Sequence, residues 1–473
     1  MKKSIYTVIL FIIVVVNAYI LVSSDVLSWP SNRPYTIKKG MIHFAEPKRA
    51  EGQTSMLGFA AEPIENVRIG IIGMGMRGMG PLKRMSFIEG VTIVAICDRH
   101  QENLDKGQAR LAKYNLPRAD EYVGDEAWKE MCQREDIDLI YIVTPWLQHT
   151  PMAVYAMEHG KHVAIEVPAA TSVEECWQLV DTSERTRKHC MMLENCVYDH
   201  FELTTLNMAQ QGLFGEIVHV EGGYIHTLDK FWDQFDNNWR LTYNQNHRGD
   251  VYATHGLGPI CFALNIHRGD RMTHLVSMDT NSWLGAKKSK SSLGTEEFAN
   301  GDHTSTLIRT HKGKTIELQH NVYTPRPYSR NYQLTGTKGF ANKYPVEGIL
   351  LEHDKMADSG VVPNHEDLSS HKYLPKDIFD NLIEKYRHPI QKELLEVAKR
   401  AGGHGGMDFI MDYRLIYCLR HGLPLDQDVY DAAEWSCIGE LTAASIENNS
   451  MPVAFPDFTR GEWNKLQGVS FAK

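Results

Sequence analysis

The chain has 473 residues, a formal net charge of −9 and 42% hydrophobic residues. This length suits two domains better than one, and the apolar content is sufficient for hydrophobic cores. Because the charge is mildly negative and the longest basic run is the short segment Lys287–Lys290, the composition argues against a nucleic-acid partner.

The first residues differ in composition from the rest of the chain. Lys2 and Lys3 precede an apolar run from Ile5 to Val22, which predicts a secretory signal peptide over residues 1–23. Because the run is long enough to span a bilayer, an N-terminal anchor is the alternative. We therefore expect an exported protein, periplasmic or secreted, that is either free or held at a membrane by this segment. Residues 24–62 contain prolines and show weak periodicity, which predicts a linker or arm.

Strands and helices alternate from residue 63 to residue 194, the pattern of a doubly wound α/β domain. The strongest strand signal, Val67–Ile72, is an almost continuous apolar run, as expected for a buried parallel strand. Further strands are predicted at 91–97, 139–143 and 162–165, and helices are predicted through Met85, at 101–114, near Asp125 and at 149–159. We therefore predict an α/β Rossmann domain over residues 63–194.

The pattern changes in the remaining segment, residues 195–473. Strict alternation of apolar and polar residues predicts strands at 217–226, 305–310 and 315–322, and two helical stretches follow at 406–421 and 426–447. These features predict an α+β domain with a largely antiparallel open sheet. An open sheet leaves one face available, so a homo-oligomer that forms through this sheet is one expectation.

The first strand of the Rossmann domain leads into a glycine-rich turn with the spacing G-x-G-x-x-G. Gly73 permits the tight turn, Gly75 lets the backbone approach a pyrophosphate, and Gly78 allows the next helix to pack closely. Asp98 ends the second strand, where it can accept hydrogen bonds from both ribose hydroxyls and would repel a 2′-phosphate. NAD is therefore favoured over NADP, although the neighbouring Arg99 could pair with a 2′-phosphate. The alternative for the glycines is a purely structural turn.

The eight cysteines form no C-x-x-C pair, so they give no sign of a thiolate metal site. Export would permit disulfides, but most of these cysteines lie in apolar contexts, and we expect buried free thiols. The histidines at 149, 159 and 162 are loosely spaced and the chain contains no H-E-x-x-H pattern. We therefore expect no metal site.

A Rossmann domain followed by an open antiparallel sheet resembles the Gfo/Idh/MocA oxidoreductase superfamily, and the resemblance covers about residues 64–450. The superfamily carries Glu-Lys-Pro after the fourth helix, where its lysine assists hydride transfer, but here Glu166 is followed by Val167. Its dehydrogenases also often carry Asp-x-x-x-His in the second domain. If His255 occupies the histidine position, Val251 stands in place of the aspartate.

These departures, together with several short motifs, resemble glycoside hydrolase family 109, the NAD-dependent α-N-acetylgalactosaminidases. Each motif alone is weak, but the set is specific. The motifs are Gly73-Met74-Gly75-Met76-Arg77-Gly78, Trp146-x-x-His149, Glu166-Val167-Pro168, Glu194-Asn195, Gly222-Gly223-Tyr224, Tyr252-Ala253-Thr254-His255-Gly256 and Gly402-Gly403-His404-Gly405-Gly406-Met407-Asp408.

The resemblance implies that a glycan or glycoconjugate with a terminal α-N-acetylgalactosamine is hydrolysed with retention. The sugar is oxidised at C3, which acidifies the proton at C2. A base then removes that proton, the leaving group departs from C1, water adds, and the C3 ketone is reduced again. Glycosidases of this kind depart from the usual pair of carboxylates. Because NAD is regenerated in every turnover, the route also suits an exported protein that has no obvious NAD pool.

Such a route needs acid–base groups that act near neutral pH, which favours histidine and tyrosine. By resemblance, His255 is the first choice, and Tyr252 lies one helical turn away if this segment is helical. The alternatives are a buried histidine that the backbone satisfies and a core tyrosine with a satisfied hydroxyl.

The other candidate residues also follow from the resemblance and from their places after predicted strands. Asn195 is expected near the nicotinamide amide, and Arg240 can donate two hydrogen bonds to adjacent sugar oxygens or to the acetamido carbonyl. The cofactor candidates are Gly73, Gly75, Met76, Arg77, Gly78, Asp98, Trp146, His149, Glu166, Val167 and Asn195. The substrate candidates are Tyr224, Arg240, Tyr252, Tyr328 and His404.

Three of these regions have structural alternatives. Arg240 could instead pair with Asp233 or Asp236 on a surface turn. The segment Gly402–Gly406 could be a lid that brings His404 to the sugar, or a connector before the next helix. Asp408 could cap that helix or serve the site.

Two further functions remain as alternatives. One is an NAD-dependent sugar or polyol dehydrogenase of the same superfamily, against which Val167 and the predicted export segment argue. The other is a non-catalytic sensor that binds sugar or NAD, which the pair Tyr252 and His255 makes less attractive.

Overall fold

We describe the fold from a computed structural model, which describes residues 34–362, 366, 368–369 and 371–472. The predicted signal segment and the first ten residues of the expected arm, 24–33, lie outside the described residues. Within the part of the chain that is described, no helix is long and apolar enough to cross a membrane.

The described chain begins with a hairpin, β1 (Tyr35–Lys38) and β2 (Met41–Phe44). The sequence analysis expected a linker or arm here and did not predict these strands. The hairpin adds to the edge of the second domain's sheet, where β2 pairs with a strand close to the C-terminus. This pairing joins segments that are far apart in the sequence, so no local sequence pattern predicts it.

The next segment forms the predicted Rossmann domain, a six-stranded parallel sheet with the order β5-β4-β3-β6-β7-β8. Helices follow the strands in the alternating pattern that the sequence predicted. The strands are β3 (Val67–Ile72), β4 (Val91–Asp98), β5 (Asp120–Val123), β6 (Leu139–Ile142), β7 (His162–Ile165) and β8 (Cys190–Met192). The helices are α1 (Met79–Met85), α2 (Gln101–Lys113), α3 (Ala127–Cys132), α4 (His149–Glu158) and α5 (Val173–Thr186).

The second domain is built on a ten-stranded sheet with the order β1-β2-β16-β10-β11-β12-β9-β13-β14-β15. Most neighbouring strands run antiparallel, as predicted, but β9 and β12 are parallel, as are β2 and β16. The strands after the hairpin are β9 (Ile217–Ile225), β10 (Met272–Asp279), β11 (Thr304–Thr310), β12 (Thr315–Asn321), β13 (Gln333–Gly336), β14 (Gly339–Asn342), β15 (Gly348–Leu351) and β16 (Val453–Ala454).

Helices of this domain contact its sheet and the elements of the Rossmann domain. The predicted stretch 406–421 is one helix, but 426–447 divides into two helices at Cys437, and the seven helices described before 406 in this domain were not predicted. The helices are α6 (His200–Gln210), α7 (Trp239–Asn246), α8 (Thr254–Leu264), α9 (Leu284–Leu293), α10 (His353–Ser359), α11 (Lys376–Tyr386), α12 (Pro389–Ala401), α13 (Met407–His421), α14 (Val429–Ser436) and α15 (Ile438–Glu447).

All eight cysteines are buried and none forms a disulfide. This confirms the expectation of buried free thiols.

Candidate active site

The carboxyl ends of the parallel strands meet at one edge of the Rossmann sheet, and the residues that follow them form one wall of the site. Five strands contribute. They are followed by Gly73 after β3, Asp98 at the end of β4, Trp146 beyond β6, Glu166 after β7 and Glu194 beyond β8.

The glycine turn has the geometry that a dinucleotide requires. Gly73 has a φ of +96°, and a Cβ there would lie 2.5 Å from the Val143 carbonyl oxygen. A Cβ on Gly78 would lie 1.9 Å from the Gly73 carbonyl oxygen, so only glycine lets α1 begin so close to β3. A Cβ on Gly75 would meet nothing within 4 Å, which leaves the backbone open to a ligand.

Asp98 is fixed beside this turn by three donors. Its Oδ2 accepts the Met74 amide at 2.7 Å, and its Oδ1 accepts the His100 amide at 2.9 Å and the Asn103 Nδ2 at 3.0 Å. The carboxylate is therefore preorganised at the end of β4, where a ribose would lie. Arg99 turns away to donate to Asp125 at 2.7 Å and 3.0 Å, so its charge is engaged on the surface.

Arg77, in the glycine turn, links the cofactor wall to the first turn of α13. It donates to Glu166 Oε1 at 2.7 Å, and its Nη1 lies 3.9 Å from Asp408 Oδ2. Asp408 also accepts from Asn195 Nδ2 at 2.5 Å and from His404 Nδ1 at 2.9 Å. Burial raises the pKa of Asp408, but the hydrogen bond from His404 and the nearby arginine charges outweigh it and hold the pKa well below its usual range.

Asp408 is not the N-terminal cap of α13. The N-terminal cap of α13 is Gly406, which has no side chain, and the Asp408 carboxylate faces the Rossmann domain. His404 is held by this carboxylate while 54% of its side chain remains exposed. The Gly402–Gly406 segment thus presents His404 at the surface of the site.

His149 and Val167 are buried beneath the residues that form this wall of the site. His149 is fully buried, with Nδ1 2.7 Å from the Pro168 carbonyl oxygen and Nε2 2.7 Å from the Thr144 carbonyl oxygen. Both ring nitrogens are thus occupied by backbone, and the placement fits a residue that shapes the two loops. Val167 is 3% exposed. Met76, by contrast, is 53% exposed at the glycine turn.

The second domain supplies the opposite wall through a very close contact between β9 and α8. A Cβ on Gly222 would lie 2.4 Å from the Gly256 carbonyl oxygen, and a Cβ on Gly256 would lie 2.2 Å from the Gly223 amide nitrogen. Because both positions are glycine, the strand and the helix touch by their backbones. This contact brings Tyr224 beside Tyr252, with ring centroids 4.6 Å apart.

His255, at the start of α8, connects a buried carboxylate to a tyrosine. Its Nδ1 lies 2.8 Å and 2.9 Å from the two oxygens of Glu194, and its Nε2 lies 3.3 Å from the Tyr252 hydroxyl. Glu194 is completely buried. Burial raises the pKa of Glu194, but the His255 charge and the hydrogen bonds to the carboxylate lower it by a larger amount. The pKa of Glu194 therefore lies below its usual value. The group therefore remains a carboxylate that accepts the Nδ1 proton, and when the imidazole is neutral, its Nε2 is the acceptor.

Arg240 is a buried cation enclosed by aromatic rings. The residue is 8% exposed, and its Cζ lies 4.5 Å from the ring centroid of Tyr252, 5.0 Å from that of Trp146 and 5.3 Å from that of Phe235. Among the residues that the structure describes, no carboxylate forms an ion pair with it, and its Nε has no hydrogen-bond partner.

The surface ion pair considered for Arg240 is not formed. Asp233 pairs with Lys288 at 2.9 Å, and Asp236 lies 3.6 Å from His100. Trp146 is only 4% exposed, and it stacks on Tyr252 at 5.4 Å. The sequence-predicted Trp146, Arg240, Tyr224, Tyr252 and His255 therefore come together in one cluster of contacting side chains.

Tyr224 and Tyr328 are joined by a histidine that the sequence analysis did not single out. The Tyr224 hydroxyl lies 2.8 Å from His226 Nδ1, and the His226 ring packs edge-on against Tyr328 at 5.1 Å. Burial, together with the charges of Arg240, His255 and His404, lowers the pKa of His226.

Comparison with known proteins agrees with this arrangement. Residues 198–465 match the family model described as "Glycosyl hydrolase 109, C-terminal domain". The preceding residues, 67–194, match "Oxidoreductase family, NAD-binding Rossmann fold". A glycosyl hydrolase family 109 protein of Bacteroides fragilis is 60% identical over 432 residues, which cover 90% of this chain and 93% of that protein. The chain belongs to glycosyl hydrolase family 109.

A second family 109 relative, from Porphyromonas gingivalis, is 59% identical and covers 91% of this chain and 92% of its own length. Solved structures share the fold at much lower identity. A levoglucosan dehydrogenase in complex with NADH and L-sorbose has a TM-score of 0.62 at 17% identity, and covers 83% of this chain and 100% of that chain. A myo-inositol dehydrogenase of Lactobacillus casei in complex with NAD(H) and myo-inositol has a TM-score of 0.54 at 16% identity, and covers 83% of this chain and 99% of that chain.

This family 109 chain therefore binds NAD through its Rossmann domain, and the glycine turn and the fixed Asp98 fit that cofactor. The domain match also confirms the predicted fold. The predicted contacts of individual residues with NAD and with the sugar remain predictions.

Two site residues were missed by sequence reasoning. Glu194 belongs to a quoted motif, but its partnership with His255 depends on the fold, which joins positions 61 residues apart. His226 directly follows β9 and carries no motif of its own. A partial signal was available, because Glu194 follows a buried strand of the Rossmann sheet, and such positions line the ligand crevice.

Two clusters in the described chain also bring together side chains of the kinds that bind metals, which the sequence did not predict. They are Glu194, Cys196 and His255, and His267, Asp428 and Asp431. Arg330 donates to Cys196 Sγ at 3.0 Å, and Arg268 donates to Asp431 at 2.7 Å. In each cluster, an arginine of the protein thus already contacts one of the side chains that could bind a metal.

Proposed function

We propose that this protein hydrolyses terminal α-N-acetylgalactosamine with retention, by transient oxidation at C3 and elimination at C2 and C1. One observation carries the proposal. Glu194, His255 and Tyr252 form a hydrogen-bonded chain beside Arg240, a cation enclosed by aromatic rings, at the carboxyl edge of the Rossmann sheet. Family membership supports a glycosidase, and the α-N-acetylgalactosamine preference rests on the motif resemblance.

Several residues would hold the cofactor. The backbone at Gly75 would face the pyrophosphate, and Asp98 would accept the ribose hydroxyls. Asn195 and the pair Arg77 and Glu166 would stand at the nicotinamide end. When bound, NAD supplies a hydride acceptor and donor for the sugar C3.

His255 would serve as the base. Because Glu194 fixes the proton on Nδ1, Nε2 is free to accept a proton, and the Glu194 carboxylate stabilises the resulting imidazolium. The Tyr252 hydroxyl, 3.3 Å from Nε2, can pass a substrate proton to it. Burial raises the pKa of Tyr252 well above its usual value, so this phenol stays protonated between transfers.

The pocket would hold the sugar by its polar edge and its apolar face. Arg240 can donate two hydrogen bonds to the acetamido carbonyl or to adjacent hydroxyls without first breaking an ion pair. The rings of Trp146, Tyr224 and Tyr252 form the surrounding surface. Val167, in place of the lysine of the related dehydrogenases, leaves no ammonium group beside the reacting carbon.

The proposal is tested by supplying an aryl α-N-acetylgalactosaminide to purified protein without added NAD. We expect release of the aryl alcohol with retained anomeric configuration and no net NADH. Steady NADH accumulation from free sugars and added NAD would favour a dehydrogenase instead. Tight sugar binding without either reaction would favour a sensor. His255→Ala should abolish turnover while NAD remains bound.

A further inference from the structure

One segment of the second domain, residues 231–239, reaches across to the Rossmann domain, and we call it the crossing segment. It is anchored in its own domain by Trp232, which is completely buried and stacks on Tyr323 at 5.7 Å. Asp233 adds an ion pair with Lys288 at 2.9 Å. The crossing segment therefore starts from a fixed point of the second domain.

The crossing segment contacts the Rossmann domain at two places. The Asp236 carboxylate lies 3.6 Å from His100 Nε2, just after β4. The Trp239 ring meets the Trp146 ring edge-on at 5.2 Å, beyond β6. In the sheet, β3 lies between β4 and β6, so the two contacts stand on either side of the glycine turn that follows β3.

These two contacts bracket the place where the dinucleotide is expected. His100 is tied to the ribose end of that place, because its amide donates to Asp98 Oδ1 at 2.9 Å. The turn between the contacts stays open, since Met76 is 53% exposed and a Cβ on Gly75 would meet nothing within 4 Å. A dinucleotide along the carboxyl ends of the strands would therefore lie between the glycine turn and the crossing segment.

The backbone of the crossing segment is bent between its two contacts. Asn237 and Asn238 both have left-handed conformations, with φ of +50° and +52°, which asparagine adopts more readily than most residues. Asp236 and Trp239, on either side of this bend, both reach the Rossmann domain.

We propose that the crossing segment retains NAD, and that the cofactor leaves only after Trp239 separates from Trp146 and Asp236 separates from His100. An exposed pair such as Asp236 and His100 contributes little by itself, so the aromatic contact is the stronger hold. The inference rests on NAD binding and not on the proposed glycosidase activity. Retention suits a reaction that regenerates its NAD, whereas a dehydrogenase must exchange the cofactor in every turnover.

The test measures NAD release from the holoenzyme without any sugar. Protein that carries isotope-labelled NAD is mixed with excess unlabelled NAD, and mass spectrometry follows the label that stays bound. Trp239→Ala should release NAD roughly 10-fold faster, which is about what one edge-on aromatic contact contributes. Trp283→Ala removes a 65% exposed tryptophan outside the crossing segment, and this matched control should exchange NAD at the wild-type rate. An unchanged rate in Trp239→Ala would overturn the inference.

A second measurement separates retention from general damage to the site. In the double variant His100→Cys/Asp236→Cys, a bismaleimide can join the two new thiols, because the native cysteines are all buried. The crosslinked holoenzyme should release NAD more slowly than the single variant Asp236→Cys treated with the same reagent. Damage to the fold cannot produce slower release. Equal release with and without the crosslink would show that NAD leaves by a route that the crossing segment does not control.

Discussion

At the scale of single residues, the site contains charged side chains whose burial costs free energy, and each lies beside a residue that is proposed to act in the reaction. Glu194 is the clearest case, because its fully buried carboxylate is held by the His255 ring and by the Cys196 amide at 3.0 Å. It touches no substrate in the proposed reaction. Its role is to position His255 and fix the tautomer of that ring.

Glu194→Gln should therefore lower kcat by roughly 10²- to 10⁴-fold with little change in KM. The amide can donate to Nδ1, which would move the ring proton to Nε2 and block its action as an acceptor. Because a neutral amide no longer stabilises the imidazolium, the acid limb of the kcat/KM profile should move to lower pH. Steady-state kinetics across pH provides the measurement.

A control distinguishes this role from the loss of any buried carboxylate. Asp270 is 1% exposed and accepts from Thr310 and the Lys312 amide, away from the site. Asp270→Asn should lower stability but leave the pH profile unchanged. An unshifted profile in Glu194→Gln would show that the carboxylate is only structural.

A second prediction is that replacing Arg240 lowers activity without lowering the stability of the fold. A buried cation without a counterion costs stability, so Arg240→Met should leave the unfolding midpoint unchanged or raise it. The same change removes the proposed donor to the sugar and should lower kcat/KM by about 10²-fold or more. Thermal unfolding and kinetics on one preparation provide both values. Strong destabilisation with normal kinetics would identify Arg240 as a structural residue.

At the scale of secondary-structure elements, the segment after α8 is fixed to α14 by a buried charged cluster. His267 is fully buried, its Nδ1 lies 2.7 Å from Glu434 Oε2, and its Nε2 lies 3.4 Å and 3.6 Å from Asp428 and Asp431. Arg268 donates to Asp431 beside it. Burial and the Arg268 charge lower the pKa of His267, but the three carboxylates outweigh them and raise it to about 10.

This shift predicts how stability depends on pH. Because the folded pKa lies above the ordinary value of 6.5, the imidazolium contributes fully below about pH 6.5, and its contribution is lost as the pH rises through about 10. His267→Gln removes the cation and should lower the free energy of unfolding by about 3–5 kcal/mol at pH 6. The gap between variant and wild type should narrow toward pH 10 in denaturant titrations. A gap that does not change with pH would contradict a protonated His267.

The elements also show which features the sequence could predict. Four of the six Rossmann strands and the glycine turn were predictable because each signal is local, a buried apolar run or glycines at fixed spacing. The strands β5 and β8 were not predicted, because they are only four and three residues long. The β1–β2 hairpin was not, because its strands are short and their partner, β16, lies near the other end of the chain. His226 was missed for a related reason, since its contacts with Tyr224 and with the distant Tyr328 arise only in the folded chain.

At the scale of the whole molecule, three distant segments converge on one buried glutamate of the Rossmann domain. Glu184, on α5, accepts from Arg49 in the N-terminal arm at 3.0 Å and from Arg460 near the C-terminus at 2.7 Å. It also accepts from the Tyr430 hydroxyl on α14 at 2.6 Å. The residue is completely buried, so the arm, the C-terminal segment and the Rossmann domain share one anchor.

Glu184→Gln should therefore weaken the attachment of the arm more than the fold of either domain. The change removes the carboxylate that Arg49 and Arg460 share. Because Arg49 keeps Glu462 and Arg460 keeps Asp181, the cost is that of the lost charge-assisted hydrogen bonds, about 1.5–3 kcal/mol. We expect a lower denaturant midpoint and faster proteolytic cleavage in residues 45–62, while NAD binding is retained. Glu158→Gln breaks only the exposed pair with Arg185, which is worth at most about 0.5–1 kcal/mol, and should change neither measurement. If both variants behave alike, the arm is held by its strand pairing with β16 and not by this carboxylate.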